Sequence, residues 1–230
     1  MKPVLLIGLN YVREQRWVVL SLALYPPAML VLLRAFDAHL TPGDLSAFLQ
    51  QQASFAVLFA VVFAASAINQ DRRSRRILGV LSKAVRRSQY IAGLLLGVWL
   101  FIAIYAGAGL LTLAVISRDS AAHGFRLMLS AYVAAMASSA VTMFFTTFLP
   151  PFLATLVAGI FLGIPALLQM LRIPWPNYAA PAFVLMRDIT LAPDYHLRPD
   201  ILLLAVAHAL VFWVLASVVF SYRDIAVSIE

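Results

Sequence analysis

Six stretches of the chain are apolar and long enough to cross a bilayer. That repetition limits the fold more than any single residue. A helical crossing of a hydrocarbon core takes about 20 apolar residues. The stretches lie at about 17–33, in a segment ending at Ile68, and at 90–116, 127–148, 151–171 and 199–222. In lipid a span must pair its backbone polar groups internally, so each stretch is expected to be an α-helix. Composition agrees, since 63% of the 230 residues are apolar and 12% are charged, about half the charged fraction of a soluble domain. Mean hydropathy is +0.92. The expected fold class is an all-α integral membrane protein, a single transmembrane domain over residues 1–230 with six transmembrane helices.

Local signals mark several helix ends. Thr41 is a candidate N-cap, Pro42 sits at the first helical position and Asp44 completes a capping pattern. That second helix is expected to project beyond the membrane on its N-terminal side. Pro26 and Pro27 should kink or break the first span. "LPP" at 149–151 ends the fourth span and opens the fifth, and Pro199 with Asp200 opens the sixth. The N-terminal "MKPVLLIGLNYVREQRW" lacks a cleavage site and a continuous apolar run, so it does not resemble a signal peptide. Residues 1–16 suit an amphipathic helix at the membrane surface, with Val4, Leu5, Leu9 and Val12 toward lipid. The alternative is a cytoplasmic extension of the first span.

Charge then orients the spans. With the N-terminus cytoplasmic, that side carries Lys2, Arg13, Arg16, seven basic residues between 72 and 87, and Arg223. The other side carries Arg34, Arg118, Arg126, Arg172, Arg187 and Arg198. Eleven basic residues against six place both termini in the cytoplasm by the positive-inside rule. The longest external segment is 172–199, rich in proline and aromatics. Within it "PAFVLMRDI" suits one short amphipathic helix, and Trp175, Tyr178 and Tyr195 suit the headgroup layer. An irregular cap is favoured for this segment over a re-entrant element.

Catalytic and energy-converting motifs are absent from the sequence. There is no Gly-rich phosphate loop, no H-E-x-x-H and no G-x-S-x-G. Cysteine is absent, and His39, His123, His196 and His208 lack metal-ligand spacing. No catalytic, cofactor or metal residue is expected. His208 is the one ionisable candidate within a span, suited to an interhelical hydrogen bond or, less readily, a proton relay. Ser138, Ser139 and Thr142 suit close helix packing, with a polar-tolerant pathway as the alternative.

The exceptional segment is "DRRSRRILGVLSKAVRRSQY" at 71–90. On a helix over 74–87, Ile77, Leu78, Leu81, Ala84 and Val85 share one face, flanked by arginines. Such a segment suits an anchor on anionic lipid or a docking helix for a soluble partner. A nucleic-acid patch is disfavoured, because the segment is short, tethered at both ends and without interleaved aromatics.

This segment resembles the cytoplasmic loop after the second span of ABC-2 type ABC-transporter permeases. Asp71 and Arg72 match its start, "LSKAV" at 81–85 is similar to "LSKPV", and "QYIAG" at 89–93 is similar to "QYLLG". Departures are Ala84 in place of proline, Ser74–Arg76 where Gly-Thr is common, and Leu94 in place of lysine. The resemblance implies a permease subunit, acting as an exporter and paired with a second permease protomer, identical or a paralogue. A separate ATPase subunit would dock on the 70–89 loop and bind the ATP and magnesium, leaving this chain without cofactor or enzymatic activity.

The residues so implied for coupling are Ile77, Leu78, Leu81 and Val85 as an apolar anchor, with Ser82 and Lys83 in the turn. Arg72, Arg73, Arg75, Arg76, Arg86 and Arg87 would steer docking. The implied location is the bacterial cytoplasmic (inner) membrane. A pathway without charges suits lipids, hydrophobic drugs or amphiphiles, and the family also moves glycans and peptides. An ion-coupled secondary transporter and a non-transporting membrane scaffold stay open as alternatives.

Overall fold

The computed structural model describes residues 2–36, 41–73, 85–116, 118–173, 177–191 and 195–222. Among them, regular structure is helical throughout. The helices are α1 (Lys2–Glu14), α2 (Arg16–Phe36), α3 (Pro42–Arg73), α4 (Arg87–Ile116) and α5 (Arg118–Thr146). They continue with α6 (Pro151–Met170), a 3₁₀ turn (Asn177–Ala179), α7 (Pro181–Leu191) and α8 (Pro199–Tyr222). Helices α2 to α6 and α8 are the six long and apolar enough to cross a membrane. The chain is an all-α membrane protein.

The spans are longer than the apolar stretches alone suggest. Helix α3 has 32 residues and α4 has 30, about 48 and 45 Å at 1.5 Å per residue. Both exceed a hydrocarbon core of about 30 Å. The start of α3 is closed as expected. The Thr41 N–H donates to Asp44 Oδ2 at 2.8 Å, and the Asp44 N–H donates back to Thr41 Oγ1 at 3.3 Å. This reciprocal pair satisfies two donors at the helix start.

The prolines of α2, expected to kink or break it, do not break it. Pro26 and Pro27 lie inside a helix continuous from Arg16 to Phe36. Their missing N–H groups release only the carbonyls of Leu22 and Ala23. Leu22 and Tyr25 pack on the bundle core, and Leu30 is buried on the far side of the prolines. Contacts on both sides of the defect hold the helix through it.

Helix α5 is the hub. Within its span 78% of residues are buried, against 11% for α2 and 17% for α6. Small residues explain this. Ala131, Ala134, Ala137 and Ala140 of α5 are buried, as are Ala53, Ala56, Ala60 and Ala64 of α3. Small side chains let helix backbones approach closely, which replaces the hydrophobic driving force missing within lipid. Aromatic rings fill the space between α3 and α4. Phe59 meets Tyr105 edge-on with centroids 5.5 Å apart, and Phe63 lies 4.3 Å from Phe101.

Helix α1 is docked rather than merely laid on a surface. Leu5 and Leu9 are about half exposed, as expected, but Val4 and Val12 are partly covered. The covered side contacts α4 through glycine. A Cβ added at Gly8 would stand 3.1 Å from the Gly93 carbonyl oxygen and 3.2 Å from the Gly97 nitrogen. No residue but glycine fits this crossing without displacement.

The segment before α8 is more ordered in its packing than an irregular cap. Helix α7 covers the expected "PAFVLMRDI" and buries Ala182, Val184, Leu185 and Ile189 against its neighbours. At 11 residues it is about 16 Å long, too short to cross. Tyr178 is exposed, as a headgroup residue would be, whereas Tyr195 is buried. The Tyr195 hydroxyl donates to Ser130 Oγ at 2.6 Å, which ties the loop to α5. Burial pushes the Tyr195 hydroxyl above its ordinary pKa. Trp175 lies outside the described residues.

Candidate functional site at the basic end of the bundle

Four helix ends gather on one face. Gln15, between α1 and α2, donates from Nε2 to Gln70 Oε1 of α3 at 2.7 Å. Arg87, the first residue of α4, donates to the Ser221 carbonyl at 2.6 Å and to the Phe220 carbonyl at 3.4 Å. The rings of Tyr90 and Phe220 stack with centroids 5.7 Å apart. The starts of α2 and α4 therefore lie beside the ends of α3 and α8. This is the alternation that the charge count requires, and it puts Arg16, Arg86 and Arg87 at the same end of the bundle.

The local chemistry follows from the helix ends. The C-terminal end of α8 carries the negative end of its helix dipole, so a guanidinium is well placed there. At the start of α4, the Arg86 N–H donates to Gln89 Oε1 at 3.2 Å, a side-chain cap. Arg16 lies 5.5 Å from the ring centre of Trp17 at the start of α2, a cation–π contact.

The structure separates the residues of the 70–89 loop into three groups. Arg72 and Arg73 belong to the last turn of α3, so that helix enters the segment expected to be loop. Arg75, Arg76, Ile77, Leu78, Leu81, Ser82 and Lys83 lie outside the described residues. Val85, Arg86 and Arg87 are described. A helix over 74–87 does not run unbroken into α4, because Val85 and Arg86 are non-helical. Val85 is half-buried and packs against the bundle core, while Arg86 is exposed.

The hydroxyls of Ser139 and Thr142 are hydrogen-bonded, whereas His208 keeps a ring nitrogen without a partner. Ser138, Ser139 and Thr142 are buried in α5. Thr142 Oγ1 donates to the Ser138 carbonyl at 2.8 Å, and Ser139 Oγ accepts from Trp99 Nε1 at 3.0 Å. His208 is half-buried, its ring 4.8 Å from Phe212, and its Nδ1 has no hydrogen-bond partner. The structure places these four residues in helix contacts.

Three features were not singled out from the sequence. Gln52 is fully buried in α3 and accepts a hydrogen bond from the Tyr105 hydroxyl, while its Nε2 has no partner. Its only sequence signal is the "QQQ" ahead of an apolar run. The Gly93–Gly97 pair is the small-xxx-small motif "GLLLG", a pattern associated with close helix crossings. The third is the pair Trp213 and Ser217 of α8, whose buried Nε1 and Oγ atoms lack partners.

Among the described residues no group of three or more His, Asp or Glu side chains is placed to hold a metal. Neither a protein-family model nor a curated protein sequence matches the chain.

Proposed function

We propose that the chain is the permease subunit of an ATP-driven ABC-2 type exporter, acting in a bacterial inner membrane with both termini cytoplasmic. A second permease protomer and a separate ATPase subunit would complete the transporter. The observation that carries this reading is the position of the 71–90 segment along the chain, between α3 and α4. Its motif-bearing residues connect α3 to α4, and these two helices interlock through Phe59–Tyr105 and Phe63–Phe101. A force applied to the segment from outside the membrane would reach the bundle core along two long helices. The sequence also contains no phosphate loop, so a driven transporter built on this chain needs a separate energy source.

The test is co-purification with a phosphate-loop ATPase encoded beside this chain. Wild type is expected to retain it, and Leu81→Asp to lose it while still inserting in the membrane. Retention by Leu81→Asp at wild-type level would show that the segment is not the docking handle. Flux in vesicles that does not depend on ATP would remove the reading altogether.

A further inference from the structure

Helix α2 carries an arginine near each of its ends, Arg16 and Arg34. On one continuous helix they stand about 27 Å apart, at 1.5 Å per residue. That is close to a hydrocarbon core of about 30 Å. Arg16 lies at the end of the bundle that holds Arg86 and Arg87, so Arg34 lies at the opposite membrane boundary. Its side chain is exposed, and among the described residues it has no ion-pair or hydrogen-bond partner. A guanidinium at that depth needs an anion or water, and its long stem lets it reach one.

A groove of about 380 Å³ runs inward from Arg34 between α2 and α4. Pro27, Leu30, Val31 and Arg34 line one wall, and their spacings of three and four put them on one face of α2. Leu111, Thr112 and Val115 line the other. From Arg34 to Pro27 the groove descends about 10 Å along the helix. Val31, Leu111 and Val115 are 68%, 72% and 87% exposed, so the groove is open to an occupant from the bilayer. Thr112 donates its hydroxyl to the Ala108 carbonyl at 2.7 Å, so it asks for no acceptor in the groove. The lining is therefore a cation at the membrane boundary above an apolar trough.

We propose that this groove binds an anionic phospholipid of the leaflet at the Arg34 end of the bundle. Its phosphate pairs with the Arg34 guanidinium, which offers two parallel N–H donors to such a group. The upper part of one acyl chain lies against Val31, Leu111 and Val115. Charge complementarity at the boundary selects the anionic head group, and the apolar trough below selects a chain over a soluble anion. A zwitterionic lipid brings its own cation toward Arg34 and is the weaker ligand. This inference does not depend on the exporter reading, since it needs no ATPase and no transported substrate.

Native mass spectrometry of the purified full chain in detergent tests it. Phosphatidylglycerol and phosphatidylcholine with the same acyl chains are titrated separately. Phosphatidylglycerol is expected to bind roughly tenfold more tightly, and Arg34→Gln to abolish that preference, as for one charge-assisted hydrogen bond. Val31→Trp fills the trough while keeping the guanidinium, and is expected to lose both lipids alike. Arg34 and Val31 are both exposed, so the two variants should fold.

Equal binding of the two lipids by wild type, or a preference that survives Arg34→Gln, would overturn the proposal. Phosphatidylglycerol binding by Val31→Trp at the wild-type level would place the lipid outside the groove and overturn it as well. Displacement of the lipid by inorganic phosphate alone would make Arg34 a free-anion site, with the same consequence. A shift from dimer to monomer in Val31→Trp, with no lipid preference in wild type, would assign the groove to a second copy of the chain instead.

Discussion

The Arg87 guanidinium donates to the Ser221 carbonyl at 2.6 Å, across 134 positions of sequence. The bond joins the first residue of α4 to the last turn of α8. It places a cation against the negative end of a helix, where the attraction is strongest. The site is only partly buried, so solvent weakens it. Arg87→Ala is expected to destabilise the chain by about 1 kcal/mol. For a chain of this size that lowers the thermal midpoint in detergent by roughly 2–4 °C. Arg87→Lys should recover part of the loss. An Arg87→Ala midpoint equal to that of wild type would mean the contact contributes nothing to stability.

How much of this was legible beforehand depended on the kind of signal. Span number, the Thr41–Asp44 cap and the break at "LPP" are local, and α-helices satisfy their own backbone within a few residues. They were readable for that reason. Tyr195 was not. Its aromatic, proline-flanked setting suggested the headgroup layer, but its position is fixed by Ser130, 65 residues away. Likewise Pro26 and Pro27 announce a kink or a break, and α2 stays unbroken with Leu22, Tyr25 and Leu30 packed around them. Val85 shares a helical stripe with Leu81 and Leu78 in sequence, yet its backbone is non-helical and its side chain packs on the bundle. Periodicity shows which residues are apolar together, not which surface they meet.

The α1–α4 crossing is a sharper test of backbone proximity. A Cβ placed at Gly97 would lie 2.8 Å from Tyr11 Cδ1 and 3.1 Å from the Gly8 carbonyl oxygen. The first atom can yield by ring rotation, while the second is backbone and cannot. Gly97→Val should therefore push α1 off α4 at a cost of about 1–3 kcal/mol. Limited proteolysis in membranes should then cleave at the exposed Arg13 sooner than in wild type. Equal cleavage rates and an unchanged melting midpoint would mean that α1 is not held at this crossing.

Gln52 and Tyr105 make an asymmetric pair. Tyr105→Phe removes the donor to a fully buried amide that already has one atom without a partner. The expected loss is about 1–3 kcal/mol, the desolvation penalty of an unsatisfied group. Gln52→Leu removes that amide altogether but strands the buried Tyr105 hydroxyl, so it should cost a similar amount. The double variant Tyr105→Phe with Gln52→Leu should then recover most of what Tyr105→Phe lost. Denaturation of all three in one detergent checks this, and additive losses would show that the two side chains act independently.

His208 separates the proposed ATP-driven reading from its ion-coupled alternative. A proton relay needs a titratable group with partners to pass protons to and from. His208 instead stands against the ring of Phe212, its Nδ1 without a hydrogen-bond partner. His208→Phe preserves the ring and the edge-on contact while deleting both nitrogens. Transport in reconstituted vesicles is expected to continue at the wild-type rate, with the same dependence on external pH. Loss of flux in His208→Phe at unchanged protein stability would favour the ion-coupled alternative, because a packing role is kept by the substitution and a proton-carrying role is not.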